Sequence, residues 1–554
     1  MAWRHERASG LRPMTPANVS IAPASERRSV LDRAHRGDIE GALGRIGAFD
    51  TAPRRSMLWR VRTLLAIMGP GVVVMVANND AGGLSTYAQA GQDHGLRLLW
   101  LVAILAPVLF VIQEMVVRLG AVTGAGHARL IFERFGRRWG RFALVDLLLL
   151  NFLTIVTDFI GVALALGFFG VSRFISVPIA ALGLSAVTVR GSFRRWERAM
   201  YAFIGISLAA IPLALLSHPR HSVVSVGNIG ASGAGLGSGF VVLMIAMIGT
   251  TVAPWQLFFH QSNVVDKRIT PRWIGYERAD TVIGTILFAI GAMGVLLACA
   301  TAFRSSALHG LFVDAGHVET GLRNIVGRWE GALFALVLFN GSVLGAGAVS
   351  LATSYAIGDV FGVKHSLHRP WRDAPMFHGS FVGLILLACG IVLIPGTPLG
   401  VVTVSVQVLA GVLLPSATVF LLLLCNDRAV LGPWINPRWL NIVTTSIVAG
   451  LIALSALLTW TTLFGRVAAS IVVWVVVTSI LVVPGVLAIA RLNGETLPAP
   501  SKAERSMWSM PPLESLDAPE VSRARSVGLS VLRLYVAMAA VMVVLKLIQS
   551  AFGR

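Results

Sequence analysis

GPGVVVMVANNDAGGLSTYAQAG, residues 69–91, decides how this chain folds. An apolar lead runs into Asn78, Asn79 and Asp80, and the pair Gly82 and Gly83 follows at once. The stretch is apolar enough to enter a bilayer, yet it carries a carboxylate in its middle, at a cost of about 2.5–3.5 kcal/mol on insertion scales. Two glycines behind that carboxylate weaken the helix further. A second interrupted stretch is VVLMIAMIGTTVAPWQLFFHQS, residues 241–262, centred on Thr250, Thr251, Val252, Ala253 and Pro254. Pro254 removes a backbone donor and crowds the preceding turn. Backbone freed at membrane depth must be buried in protein or line a wet cavity.

A lone proline in a helix is most often a packing kink. The two breaks together say more. They fall in the first and sixth apolar runs, five apart, which is the signature of two inverted five-helix repeats with a substrate site at the midplane between them. Freed carbonyls and one carboxylate, with no fixed cation near them in sequence, favour a cation as the substrate.

The rest of the chain fits a membrane protein. Of 554 residues, 55% are hydrophobic and 13% charged, against about 25% charged in a soluble domain; mean hydropathy is +0.75. That composition excludes a soluble enzyme, a disordered chain and a fibrous protein. The 56 glycines show no collagen period and suit close helix packing. Cys299, Cys389 and Cys425 lie in or beside apolar runs without metal-ligand spacing, and read as small packed residues. Runs long enough to span occur at 64–93, 97–122, 142–170, 174–190, 196–217, 236–265, 280–303, 330–358, 378–396, 401–424, 438–463 and 466–490. A further apolar stretch, 527–551, carries Arg533 and Lys546 and is either another span or an interfacial helix. Residues 1–60 are polar, basic and without a signal-peptide core, and are expected to be a mostly disordered cytoplasmic tail. The transporter body is then 61–490, with a cytoplasmic linker at 491–526 and an extra apolar helix at 527–554.

The net charge of +19 and pI of about 11.3 would suggest nucleic acid in a soluble protein. Here the placement of charge says otherwise. With the N-terminus inside, the inner loops hold Arg129, Arg134, Arg137, Arg138 and Arg141, then Arg190, Arg194, Arg195 and Arg198, then Lys267, Arg268, Arg272 and Arg278, then Lys364, Arg369 and Arg372. The opposite loops hold scattered cations such as Arg97, Arg173 and Arg220. This is the positive-inside pattern of a cell-membrane protein, with the lipid bilayer as partner and no nucleic acid.

At these residues the chain resembles a known family. GPG, the broken NDAGG and YAQAG look like the first helix of the NRAMP divalent-metal transporters, whose pattern there is DPGN. RLGAVTG (Arg118 to Gly124) ends the second helix as in that family, TDFIGVALAL resembles its TD-x-x-E segment, and APWQLFFH is similar to its MPHNLYLH. Gln407 precedes Pro415 by eight residues, also as in the family, and the resemblance covers roughly 60–490. It implies an all-α integral membrane protein with a LeuT-like fold, about 12 spans, and a metal site between helices one and six. By position, Asp80 matches the metal-binding aspartate, Ala77 and Thr250 the residues that offer backbone carbonyls, and Gln407 a glutamine that approaches the metal when the site closes.

The departures from the family carry the selectivity argument. Its metal-binding asparagine is Gly83 here, its methionine Ala253, its following histidine Trp255 and the next asparagine Gln256. Asp158 is kept but the acid three residues on is Gly161, while the later histidine is kept as His260. A thioether favours softer transition metals, and Ala253 removes it. Asn79, Gly83, Thr251, Ala253, Pro254, Trp255 and Gln256 are expected to line the site, with side-chain oxygens from Thr250, Thr251, Gln256 and Gln407. An oxygen-only site suits Mg²⁺, which keeps several waters, and resembles that of the divergent NRAMP-related magnesium transporters; Mn²⁺ also fits. Two family proton carriers are replaced by Trp255 and Gly161, leaving Asp158 and His260 as carriers or as structural polar groups. Transport is therefore expected to be weakly coupled or uncoupled to protons. A dication gains about 4.6 kcal/mol per 100 mV of inside-negative potential, enough for roughly 10³-fold accumulation.

Other polar residues read plainly. Glu114 and Arg118 are spaced to pair, Asp146 to cap the third helix, and His365 and His368 to sit in a solvated basic loop. Trp255 either walls the pathway or fills the histidine's space. The alternatives are a proton-coupled Mn²⁺/Fe²⁺ importer of ordinary NRAMP type, and an amino-acid or organic-cation carrier on the same fold. A membrane enzyme has no support: there is no HExxH, nucleophile elbow or P-loop, and no cofactor is implied beyond the transported ion.

Overall fold

The computed structural model describes residues 33–217, 238–395 and 399–464, with short pieces at 474–475, 478–479, 502–516, 526–530 and 532–534. Chain order begins with a hairpin, β1 (Ile39–Gly41) and β2 (Gly44–Ile46). Then come α1 (Met57–Ile67), α2 (Pro70–Ala77), α3 (Ala81–His94), α4 (Leu99–Thr123), α5 (His127–Phe135), α6 (Arg137–Phe168), α7 (Arg173–Val189), α8 (Phe193–Ser207) and α9 (Ala210–Leu216). After the 218–237 segment follow α10 (Ser238–Thr251), α11 (Pro254–Asp266), α12 (Ile274–Phe303), α13 (Ala315–Ile325), α14 (Arg328–Phe361), α15 (Pro375–Val392), α16 (Leu399–Leu424), α17 (Arg428–Leu431), α18 (Arg438–Phe464) and α19 (Lys502–Met507).

Among the described residues, eight helices are long and apolar enough to cross a membrane, or nine if the bent pair α1 and α2 counts as one span. The shorter apolar helices α7 and 438–454 bring the described elements into register with the first eleven expected spans. The twelfth, 466–490, and the fate of 527–551 lie outside the described residues apart from isolated pieces. Both interruptions are real. α2 stops at Ala77 and α3 starts at Ala81; α10 stops at Thr251 and α11 starts at Pro254. Pro254 does not kink a helix but begins one, where its missing N–H costs nothing. The first span packs on α12 and the sixth on α4, while α6 packs on α14. Those are the pairings a pseudo-twofold exchanging helices one to five with six to ten would produce.

Part of the tail expected to be disordered is folded. β1 and β2 pair antiparallel with Ile39 opposite Ile46, and the hairpin lies on α1. A Cβ on Gly41 would come within 2.2 Å of the Ala66 carbonyl oxygen, so only glycine allows this approach. The segments flanking the hairpin are held by distant groups: Arg268 donates to the Ala34 and Asp38 carbonyls and Arg272 to those of Asp50 and Ala52. The Ala48 amide, with the Arg45 guanidinium, also holds the Asp38 carboxyl below its ordinary pKa. Residues of the 491–526 linker dock too: the Met510 amide donates to Val122 O at 3.0 Å, and Trp434 Nε1 to Arg505 O at 2.8 Å.

Three local expectations change. Asp146 caps nothing; it lies inside α6 and accepts a hydrogen bond from Ser416 Oγ at 2.7 Å. His365 and His368 are not in a solvated loop. His365 Nε2 pairs with Asp359 at 3.1 Å and His368 Nε2 meets Asp266 O at 3.1 Å. Burial alone would lower the His365 pKa, but Asp359 outweighs it and the group is raised above its ordinary value. The Glu114–Arg118 pair forms at 3.4 Å, and Arg278 joins it.

Candidate metal site

The two breaks face each other. α2 ends with carbonyls that have no partner in the helix ladder. The Ala81 amide, which would close the helix onto the Ala77 carbonyl, instead meets Asp158 Oδ1 at 3.3 Å. Asp80 is the N-cap of α3 and accepts the Gly83 amide through Oδ1 at 2.7 Å. The candidate site centres on the oxygens around Gly83. A Cβ placed there would lie 2.8 Å from the Asn78 carbonyl oxygen, 3.0 Å from Thr250 Oγ1 and 3.3 Å from Asp80 Oδ1. Three oxygens thus converge where the family carries a side-chain amide. Thr250 Oγ1 is buried and has no hydrogen-bond partner, so it is left over for a ligand.

Gln407, from α16, leans over the same turn. A Cβ on Gly82 would collide with its Nε2 at 1.7 Å, and that Nε2 has no partner. Asp158, fully buried in α6, stands behind. A Cβ on Gly345 of α14 would sit 2.6 Å from Asp80 Cβ and 2.8 Å from each Asp158 oxygen. The two carboxylates therefore flank one glycine. Asp158 Oδ2 is unpartnered.

Other expected lining residues serve the scaffold. Thr251 Oγ1 bonds Tyr87 OH at 2.8 Å and Met247 O at 2.7 Å. Gln256 donates to Asn78 Oδ1 and accepts from Gln113 Nε2 at 3.0 Å. Both oxygens are thus already hydrogen-bonded within the scaffold, unlike Thr250 Oγ1. Asn79 spends its Nδ2 on Phe288 O at 3.1 Å. Trp255 is fully buried in the apolar core, its ring tilted 56° against Phe259 at 6.1 Å, so it fills space. Ala253, with Pro254, forms the extended joint between α10 and α11.

His260 has more context than its sequence shows. Its Nδ1 meets Gln113 Oε1 at 2.9 Å and its Nε2 lies 3.5 Å from Glu277 Oε1. A polar chain thus runs from Asn78 through Gln256 and Gln113 to His260 and Glu277. Gln113, Glu277 and Asp280 escaped the sequence reading; the only signal was that charged Glu277 and Asp280 stand close before an apolar run. Asp280 holds the start of α2, accepting from Gly69, Gly71 and Val72 amides at 3.0, 2.7 and 3.2 Å. Beside it Lys267 Nζ donates to Met68 O at 2.7 Å and Glu197 Oε1 at 2.5 Å. Replacing Asp280 by alanine strands three buried amides, each worth about 1–3 kcal/mol. We expect Asp280→Ala to lose about 3 kcal/mol or more, read as a fall in the thermal midpoint in detergent; an unchanged midpoint would show that α2 is held by other contacts.

Toward the 304–328 loop, the gap between Ala81 and Gly161 at one end and Asp314 and Gly400 at the other has no room for a water molecule. On the other side, the Asp280, Lys267 and Glu197 contacts seal the start of α2. Among the described residues no group of three or more His, Cys, Asp or Glu could by itself hold a metal. The site relies instead on a carboxylate joined by neutral oxygens.

Two broken spans meeting at a buried carboxylate inside a bundle of inverted repeats define an integral membrane protein of the LeuT-like transporter fold. The described structure superposes on the Eremococcus coleocola manganese transporter with a TM-score of 0.62 at 21% identity, covering 82% of this chain and 98% of that one. It also matches a Na⁺-coupled sialic acid symporter at a TM-score of 0.50 and 13% identity, over 77% of this chain and 91% of that one. A model of the natural resistance-associated macrophage protein-like family matches residues 71–461, and the chain belongs to that family, Nramp. Similar relatives are the divalent metal cation transporters MntH of Burkholderia ambifaria, 26% identical over 77% of this chain and 95% of the relative, and of Deinococcus radiodurans, 27% identical over 73% and 92%. MntH 1 of Pseudomonas aeruginosa is 29% identical over 70% of this chain and 89% of the relative.

Proposed function

We propose that this protein imports divalent metal cations across the cell membrane by alternating access, with Mg²⁺ and Mn²⁺ as cargo, the N-terminus cytoplasmic, and little or no proton coupling. Its named relatives are divalent metal cation transporters. The observation that carries the reading is the oxygen cradle beside Gly83, where Asp80 Oδ1, the Asn78 carbonyl and Thr250 Oγ1 converge with no sulfur among them. Ala77 supplies a further freed carbonyl, and Gln407 is the residue placed to close over the ion. A partly hydrated hard cation accepts that donor set and keeps its remaining waters.

The test is uptake into proteoliposomes under an inside-negative potential, with Mg²⁺, Mn²⁺ and proton entry read separately. Potential-driven Mg²⁺ uptake without a fixed proton stoichiometry is the expected result; Mn²⁺ uptake alone, with protons, overturns it. Ala253→Met adds a thioether at the joint between α10 and α11. We expect it to shift the Mn²⁺ over Mg²⁺ rate ratio upward by about tenfold, the worth of some 1.4 kcal/mol. An unchanged ratio would mean that position 253 does not reach the ion.

A second reading, the proton-coupled Mn²⁺/Fe²⁺ importer, is favoured by one observation. Asp158 shares a glycine contact with Asp80 and keeps an unpartnered oxygen, so it is placed to carry a proton released as the ion binds. Asp158→Asn separates the two: it leaves uncoupled uptake intact and abolishes a coupled one.

A further inference from the structure

The inference concerns α1, which has no part in the cradle. From Pro53 to Met68 the chain holds four arginines, Arg54, Arg55, Arg60 and Arg62, and no acid. Every residue from Arg55 to Arg62 is exposed. Among them are large apolar side chains: Met57 is 73%, Leu58 60% and Trp59 53% accessible. Such a face is costly in water and, with its charges, equally costly in the hydrocarbon core. It matches one environment, the boundary between acyl chains and headgroups, where apolar side chains enter the lipid and arginines meet phosphates.

A cleft of about 530 Å³ opens beside it, walled by Arg54, Arg272, Trp273 and Tyr276. Trp273 lies between two guanidinium groups, with Arg54 Cζ 5.2 Å and Arg272 Cζ 4.8 Å from its ring. Arg54 also sits 5.5 Å from the Trp59 ring, which ties the cleft to α1. Those two arginines already hold the Asp50 turn, at 2.7 Å and 2.6 Å. The charge left facing outward is therefore that of Arg55, Arg60 and Arg62.

We infer that the exposed face of α1 and this cleft bind anionic phospholipid of the leaflet on the basic side of the bundle. The inference rests on the orientation proposed above. α1 is set 54° off α2, and α2 carries Ala77 to the cradle, so lipid on α1 bears on the half-span that leads to the site. A protein partner would need acids to answer three arginines; the bilayer supplies phosphates and a place for Met57, Leu58 and Trp59 together.

The experiment uses the full chain in detergent with phosphatidylglycerol or phosphatidylcholine added, and native mass spectrometry to read relative association. Intact protein should prefer phosphatidylglycerol. The double variant Arg60→Gln, Arg62→Gln should lose that preference by about fivefold per arginine. Equal preference in intact and variant protein overturns the inference, as does displacement by free glycerol phosphate, which would reveal a small-anion site that needs no acyl chain. Mn²⁺ uptake should rise with phosphatidylglycerol content for intact protein and not for the variant; the same rise in both is a further contrary result. The mass-spectrometric arm needs no transport, so it can fail without the transport reading failing.

Discussion

Asp80→Asn is expected to abolish divalent-cation uptake while leaving the chain folded. The carboxylate is the one formal charge at the oxygen cradle, with Asp158 set behind it, and its Oδ1 lies among the oxygens around Gly83. Changes in groups that merely support a metal ligand cost about 10–100-fold in affinity, so loss of the central charge should exceed about 100-fold in uptake rate at low ion concentration. Folding should survive for a stated reason. Asp80 serves the scaffold as the N-cap of α3, accepting the Gly83 amide, and an asparagine oxygen can fill the same role. Replacing one of two buried neighbouring carboxylates by a neutral amide also removes like-charge repulsion. Uptake and thermal midpoint, measured on the same preparation, check both halves. Uptake at the intact rate would move the site away from the first break.

Gly161→Glu, which restores the acid common in the family, is expected to prevent folding rather than to restore proton coupling. The position looks like a vacancy in the sequence and is the opposite in space. A Cβ there would meet Ser342 Oγ at 2.2 Å and Ala81 Cβ at 2.5 Å. α6 has closed onto α14 and α3 around the missing side chain. Overpacking costs about 1–3 kcal/mol, and a third carboxylate buried near Asp80 and Asp158 adds several more. The sum, above about 5 kcal/mol, is beyond what most single substitutions produce. Yield of monodisperse protein reads the result. Gly161→Ala should already lower the thermal midpoint, while Gly167→Ala, in the same helix with open space around it, should not. Well-folded Gly161→Glu protein would show that the helices can part at this point.

Much of the architecture was legible because membrane spans announce themselves. Length and apolarity placed α4, α6, α12 and α14, and the breaks at Asn78–Asp80 and Thr250–Pro254 were visible as residues no ordinary span would carry. The hairpin at 39–46 was not. Its few apolar residues give no period, and the segments flanking it are held by Arg268 and Arg272, more than two hundred residues away. Asp146, His365 and His368 were misplaced for a related reason: their partners, Ser416, Asp359 and Asp266, come from other elements.

At the site the division is sharper. The sequence alone determined the class of protein, the two interrupted helices and the presence of Asp80 between them, since hydrocarbon makes a carboxylate and freed carbonyls too costly to keep without use. Tertiary structure decided which oxygens are available. Thr251 and Gln256 have the right chemistry, but Tyr87 and Gln113 occupy them; Thr250 stays unpaired and the Asn78 carbonyl turns inward. It also decided that Gly161 is packed against Ser342 and Ala81, and that the atoms closest to Gly83 are oxygens. What a glycine's missing Cβ leaves behind depends on which elements pack against it. Neither fact is written in the order of the residues.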